Sequence, residues 1–139
     1  MFDWKESYSV NIKEIDDQHK ELFKIGNKLS SYIKGYDSLE DHYDEIKEVF
    51  KELKYYTIYH FRYEEELMRA NGYEDIGAHK AQHDAFIDKL VQLESGGDIY
   101  INQKNAMINT LSFLLDWISN HILKTDMRYK PILNEKGIY

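Results

Sequence analysis

The chain has 139 residues and a formal net charge of −7, from 25 acidic and 18 basic side chains. Its length suits one domain with its own hydrophobic core. The absence of cysteine excludes disulfide scaffolds, thiolate zinc sites and cysteine-ligated iron–sulfur clusters. The sequence shows no basic stripe for nucleic acid, no membrane-spanning apolar run and no signal-peptide pattern. We therefore expect a soluble, cytoplasmic protein without nucleic-acid partners or membrane insertion.

Glycines divide the chain into four segments of helical length, at about 16–35, 39–70, 73–94 and 101–122. In each segment apolar residues recur at alternating spacings of three and four, which is typical of a helix with one buried stripe. No segment shows the period of two that a strand requires. The short connections predict an all-α, antiparallel up-down-up-down four-helix bundle spanning 1–139. We expect an extended arm over about 1–15 and a short carboxy-terminal turn.

Two local signals refine this picture. Gly26 falls inside the first helical pattern, so we expect another helix to approach closely there. Ser38 followed by Asp41 is close to a capping-box pattern at the start of the second helix.

Polar side chains replace apolar ones in all four stripes. Burying such groups unpaired would cost roughly 1–3 kcal/mol each, so a bound metal is the obvious compensation. The starts of the first and third helices meet the ends of the second and fourth at one end of an up-down-up-down bundle. Six side chains from distant parts of the sequence are therefore predicted to converge there: His19, His60, Glu64, His79, His83 and His121.

A seventh candidate, Asp126, follows His121 by five residues. In a continuous α-helix this offset turns a side chain away by about 140°, so Asp126 reaches the site only if the helix ends soon after His121. By contrast, His42 lies about 27 Å along the second helix from His60 and is expected on the solvated surface.

Five imidazoles and two carboxylates are too many ligands for one ion. Two six-coordinate ions, bridged by both carboxylates and by one oxide or hydroxide, would leave a single position open. A site rich in nitrogen and carboxylate ligands with an open position suits iron and small-molecule binding.

The segments IDDQHKELF, HFRYEEELM, HKAQHDAF and WISNHILKTD resemble the hemerythrins, particularly the single-domain bacterial ones. The resemblance covers nearly the whole chain and matches all seven positions in order and spacing. It implies two non-haem iron ions bridged by oxide or hydroxide, and reversible dioxygen binding as hydroperoxide at the five-coordinate iron. In that scheme one iron is bound by His79, His83 and His121. The other is bound by His19 and His60, and the two irons are bridged by Glu64 and Asp126.

An apolar pocket is expected beside the open position. It would admit dioxygen without offering a proton donor, which favours reversible binding over oxygen activation. The candidate pocket residues, which are also candidate core residues, are Leu22, Phe61, Trp117, Ile118 and Ile122.

The leading interpretation is a non-enzymatic protein for oxygen carriage, storage or delivery to an oxygen-consuming enzyme. One alternative is a di-iron enzyme that removes peroxide or nitric oxide. Ferritin-like di-iron enzymes use Glu-x-x-His pairs, whereas this chain has His-x-x-x-Glu at His60 and Glu64. The other alternative is an oxygen or iron sensor, although sensors of this family are usually fused to signalling domains.

Overall fold

The computed structural model describes residues 2–37, 41–96 and 101–139, and it is largely helical over these ranges. The four long helices are α1 (Lys13–Lys34), α2 (Tyr43–Ala70), α3 (Ile76–Ser95) and α4 (Gln103–Trp117). A π-helical segment (Ile118–Thr125), a 3-10 turn (Asp126–Arg128) and the short helix α5 (Lys130–Glu135) follow α4 directly. No strand occurs among the described residues, which confirms the predicted all-α class.

Each long helix packs against the next one along the chain, and α1 also packs against α4 to close the bundle. This arrangement confirms the antiparallel up-down-up-down topology. The helices begin at somewhat different residues than the pattern indicates: α1 at Lys13, α2 at Tyr43 and α3 at Ile76. The capping-box proposal involves Ser38, which lies outside the described residues. Within the described ranges, no helix has the length and hydrophobicity needed to cross a bilayer.

Two clusters of buried apolar side chains hold the bundle together. The larger fills the space between the four long helices and includes Leu53 and Leu90, both fully buried. The smaller cluster joins the amino-terminal arm and α5 to the start of α1 and the end of α2. Its members include Val10, Met68 and Leu133. The last residues of the arm and α5 are therefore packed together at this end of the bundle, whereas Phe2 of the arm belongs to the larger cluster.

Gly26 has a different neighbour from the one expected. A Cβ atom at this position would lie 2.7 Å from the ring of Phe2, so the arm and not another helix packs against this glycine. Asn27 holds the arm in place, because its side chain accepts a hydrogen bond from the Phe2 amide at 2.8 Å and donates one to the Phe2 carbonyl at 3.1 Å. Beyond this contact, the arm contains one short 3-10 turn, Glu6–Tyr8.

Candidate metal centre

The seven predicted ligand side chains meet at one end of the bundle, and none is more than 2% exposed. They come from three of the long helices, from the π-helical segment that follows α4 and from the turn after it: His19 on α1, His60 and Glu64 on α2, His79 and His83 on α3, His121 in the π-helical segment, and Asp126 in the turn. They form two groups, each with its ligand atoms within 4.8 Å of one another. Three histidines belong to the first group and two to the second, and both carboxylates belong to both.

The Glu64 carboxylate lies between the two groups and offers one oxygen to each. Its Oε1 is 2.7 Å from His79 Nε2 and 3.1 Å from His83 Nε2. Its Oε2 is 3.4 Å from His60 Nε2 and 3.9 Å from His19 Nε2. This is the arrangement that a bridging carboxylate requires.

The Asp126 carboxylate is divided in the same way. Its Oδ1 lies 2.9 Å from His121 Nε2 and 3.0 Å from His79 Nε2, whereas its Oδ2 lies 3.2 Å from His19 Nε2. Two carboxylates thus span the same pair of histidine groups from different elements of the fold.

Asp126 reaches the centre by a route that the sequence did not indicate. The sequence analysis required the helix to end soon after His121 for Asp126 to reach the site, but the chain stays helical, in π geometry, through Thr125. In this geometry the hydrogen bond runs from residue i+5 to residue i, and the Asp126 amide donates to the His121 carbonyl. The wider turn places residues five apart on one face, so His121 and Asp126 point to the same centre.

Three histidines are oriented by oxygen atoms outside the centre. The Nδ1 atoms of His60, His83 and His121 lie 2.7–2.8 Å from side-chain oxygens that accept a hydrogen bond. The partners are Gln18 for His60, Glu65 for His83 and Gln82 for His121. With the proton on Nδ1, each Nε2 presents a lone pair to the centre, as metal-ligating histidines do.

Sequence reasoning did not identify these supporting residues or Tyr129. Gln18, Glu65 and Gln82 each directly adjoin a candidate ligand in sequence, which is the available signal. Tyr129 is fully buried and its hydroxyl donates to Glu64 Oε2 at 2.9 Å. Burial beside Glu64 and Asp126 raises the pKa of the Tyr129 phenol well above 10.0, so this donor keeps its proton at neutral pH.

The polar atoms of the centre are poorly satisfied by protein partners alone. Both oxygens of Asp126, both ring nitrogens of His19 and Nδ1 of His79 are buried without an aligned hydrogen bond. The Nε2 lone pairs of His83 and His121 face each other at 3.1 Å. Such a cluster is costly unless a cation lies between its members, so the donor set fits a metal centre.

The charges of the centre lead to the same conclusion. Burial alone would raise the pKa values of Glu64 and Asp126, but the surrounding imidazoles outweigh it and hold both below their ordinary values. Burial lowers the pKa of His60 to about 3, more than the nearby carboxylates raise it. Burial would lower the pKa of His79, but the adjacent Glu64 and Asp126 carboxylates outweigh it and raise the pKa to about 9. Two buried anionic carboxylates need compensating positive charge, which a metal pair would supply.

Apolar and aromatic side chains surround the centre. The Phe61 ring stacks on His83 at 3.9 Å between centroids, and the Trp117 ring stacks on His121 at 4.0 Å. Leu22, Ile118 and Ile122 are buried in the larger apolar cluster. Four of the five candidate pocket residues are thus buried core residues, while Trp117 is partly buried and packs against them. Their role in a dioxygen pocket stays a prediction.

His42 is part of neither histidine group. It precedes α2, where its ring nitrogens lie within hydrogen-bond distance of Glu45 and of the Asp37 carbonyl. Its side chain is 13% exposed, so it packs near the surface and is less solvated than the sequence indicated.

Comparison with known proteins agrees with this geometry. The family model described as the hemerythrin HHE cation binding domain matches residues 10–133. A bacteriohemerythrin of Clostridium acetobutylicum is 37% identical, over 93% of this chain and 98% of its own length. The bacteriohemerythrin of Methylococcus capsulatus is 34% identical, over 91% and 92% respectively. A crystal structure of wild-type hemerythrin matches with a TM-score of 0.75 at 30% identity, over 93% of this chain and 95% of that one. The chain belongs to the hemerythrin family.

Proposed function

We propose that this protein binds dioxygen reversibly at a pair of non-haem iron ions, for oxygen carriage, storage or delivery to an oxygen-consuming enzyme of the cytoplasm. The observation that carries the proposal is the division of the two carboxylates, since Glu64 and Asp126 each present one oxygen to either histidine group. Seven protein ligands shared in this way suit two ions with a mixed nitrogen and carboxylate environment.

The unequal number of histidines supports small-molecule binding. His79, His83 and His121 would hold one iron, while only His19 and His60 would hold the other. With both carboxylates and an oxide or hydroxide as bridges, the second ion would be one ligand short. A ferrous pair of this kind would supply the electrons and the open position for reversible dioxygen binding.

The surrounding residues support binding without further reaction. The hydroxyl of Tyr129 is committed to Glu64, so it is not free to protonate a bound ligand. The candidate pocket side chains Leu22, Ile118 and Ile122 are apolar and exclude water from this end of the core. We therefore favour a binding protein over an enzyme.

The test is an absorbance experiment on iron-loaded protein reduced under anaerobic conditions. Exposure to air should produce a visible absorption band that disappears when oxygen is removed and returns over repeated cycles. A band that never reverses, or steady consumption of peroxide or nitric oxide by the purified protein, would contradict the proposal and favour the enzymatic alternative. Iron analysis of the same sample should show two ions per chain.

A further inference from the structure

A small cavity lies on the outer side of the metal centre, between the start of α3 and the segment that follows α4. Its volume is about 110 Å³. This is room for a molecule of a few non-hydrogen atoms or for a few waters. The polar residues in its wall are Tyr73, Asp75, His79, Gln82, Thr125 and Arg128.

One candidate metal ligand has an unpartnered nitrogen at this cavity. His79 is 2% exposed, and its Nε2 faces the Glu64 and Asp126 carboxylates at 2.7 and 3.0 Å. Its Nδ1 is buried without a hydrogen-bond partner, whereas three of the other histidines have a side-chain acceptor at this atom. Because the Nε2 edge of the ring faces the centre, the cavity borders the edge that carries Nδ1. With Nε2 turned to a metal, Nδ1 carries the ring proton and is an unsatisfied donor.

The other polar groups of the wall are mostly donors as well. Gln82 Oε1 already lies within hydrogen-bond distance of His121 Nδ1 and Thr125 Oγ1, which leaves the hydrogens of Gln82 Nε2 for another acceptor. The Arg128 guanidinium is exposed and has no ion-pair partner among the described residues. Tyr73 contributes a buried phenol. A wall of this composition requires an acceptor, and the guanidinium favours one with negative charge.

The protein does not supply that acceptor itself. Of the residues that line the cavity, Asp75 alone is acidic. It is exposed, immediately precedes α3 and makes no capping hydrogen bond to the helix. Among the described residues it forms no ion pair with Arg128. The first turn of α3 contains no acidic residue, so its free amides add partial positive charge on the same side of the cavity.

We propose that the cavity binds a small carboxylate, with formate as the simplest case, and that this anion is the missing hydrogen-bond acceptor of His79. A planar carboxylate has one oxygen for the Arg128 guanidinium and one for His79 Nδ1, with Gln82 Nε2 beside them. The result is a carboxylate–histidine–metal arrangement whose carboxylate comes from solution. Glu65 is a permanent partner of the same kind for His83, at 2.8 Å.

The bound anion is a regulatory ligand of the metal centre, an effect that rests on the proposed function, whereas anion binding itself does not. A carboxylate at Nδ1 makes the imidazole a stronger metal ligand, so formate should slow the removal of iron by a chelator about fivefold. A ligand this small has few contacts, so we expect a dissociation constant in the millimolar range.

Equilibrium dialysis of isotopically labelled formate against the iron-loaded chain, at constant ionic strength, tests the proposal. Arg128→Gln removes the positive group of the wall and should weaken binding about tenfold. Asp75→Asn removes the acidic group and should tighten binding about two- to fivefold. Lys124→Gln removes an equal charge at an exposed position outside the cavity and should behave as the wild type.

The controls separate this cavity from an open position on the iron, which can also bind formate. Binding at the iron does not require Arg128, so wild-type affinity in Arg128→Gln overturns the proposal. Each variant is first checked for helix content and iron loading. If Arg128→Gln fails that check, an unchanged affinity in Asp75→Asn overturns the proposal instead.

Two further measurements complete the test. Chloride at the same concentration should displace little formate, and equal displacement would overturn the assignment to a carboxylate. Formate should protect iron from the chelator in the wild type but not in Arg128→Gln, and equal protection in both would overturn the regulatory role. None of these measurements involves dioxygen, so their failure is distinguishable from failure of the proposed function.

Discussion

The two ends of the bundle are built from the same four helices but satisfy their buried groups in different ways. At the end that we call the apolar end, the buried cluster consists of aliphatic and aromatic side chains: Leu29, Ile46, Val49, Phe50, Leu53, Leu90 and Met107. At the metal end, five imidazoles and two carboxylates occupy equivalent inward positions. The metal end, by contrast, leaves both Asp126 oxygens, both His19 ring nitrogens and His79 Nδ1 buried without an aligned hydrogen bond.

This difference separates stability from function within one small fold. Packing at the apolar end holds the helices in register, and that register brings the ligands of the metal end together. The metal end lacks the hydrophobic stabilisation that apolar side chains would give its inward positions, and bound cations would have to compensate for this loss. Substitutions at the two ends should therefore have separable effects.

The largest effect is expected for Glu64→Gln at the metal end. The amide keeps the shape of the side chain but can no longer offer an anionic oxygen to each histidine group, so the protein should lose most of its iron. Metal analysis of purified protein measures this directly. Glu48→Gln, at an exposed position of the same helix, should keep the full iron content. A Glu64→Gln protein that still binds two irons per chain would contradict the bridging role of Glu64.

Leu53→Ala tests the opposite end. Leu53 is fully buried, so its truncation should lower the free energy of unfolding by about 2–5 kcal/mol through lost burial and a cavity. Chemical denaturation measures the loss, and iron content should not change. Tyr55→Ala on the exposed face of α2 should change stability by less than about 0.5 kcal/mol. Loss of iron from Leu53→Ala would show that the two ends are not separable.

Gln18→Leu probes the residues that orient the ligands. The leucine fills similar space but cannot accept the hydrogen bond from His60 Nδ1, so iron affinity should fall about 10–100-fold. Competition with a chelator measures the affinity, and Gln92→Leu at the apolar end is the matched control. Equal affinities for the two variants would mean that the orientation of His60 is set by packing alone.

Ile118→Ala should act on the pocket without removing a ligand. Opening space beside His121 admits water to an apolar region, so autoxidation should become several-fold faster. The decay of the oxygen-dependent absorption band measures this rate, with Ile108→Ala, a half-exposed position on α4, as the control. An unchanged decay would assign Ile118 to packing only.

The smallest effect concerns an ion-pair group at the apolar end. Partial burial alone would raise the pKa of Glu94, but hydrogen bonds from Lys47 and Lys54 outweigh it and lower the pKa below 4.5. The unfolded chain therefore binds a proton at higher pH than the folded one, so Glu94 stabilises the fold at neutral pH and loses this effect as the pH falls. Glu94→Gln should cost less than about 1 kcal/mol at pH 7 and a smaller amount at pH 3. Denaturation at both pH values measures it, and an equal cost at both would contradict the charge-based explanation.

The sequence was most informative where a periodic pattern was interrupted. The three-four spacing of apolar residues predicted four helices and their antiparallel order, because a helix in a bundle must bury one face. Histidines and a glutamate at the inward positions of that pattern predicted the centre, since buried polar groups need partners. These inferences required only positions along the chain.

Other features depend on contacts between segments and left weak local signals. Gly26 indicated a close approach, but only the folded chain showed that Phe2 of the arm makes it. The neighbours of the ligands, such as Gln18 and Glu65, look like ordinary surface residues in sequence. Their partners are His60 and His83, which lie on other helices.

The sequence alone determined the helical class, the inward face of each helix and the set of side chains that a metal would need, because these follow from periodicity and residue chemistry. The tertiary structure decided how Asp126 joins them, since the change from α to π geometry after Trp117 alters which residues share a face. It also decided which oxygen of each carboxylate faces which histidine group. Both features depend on how distant segments pack together, and the residue spacing along a single helix does not predict this packing.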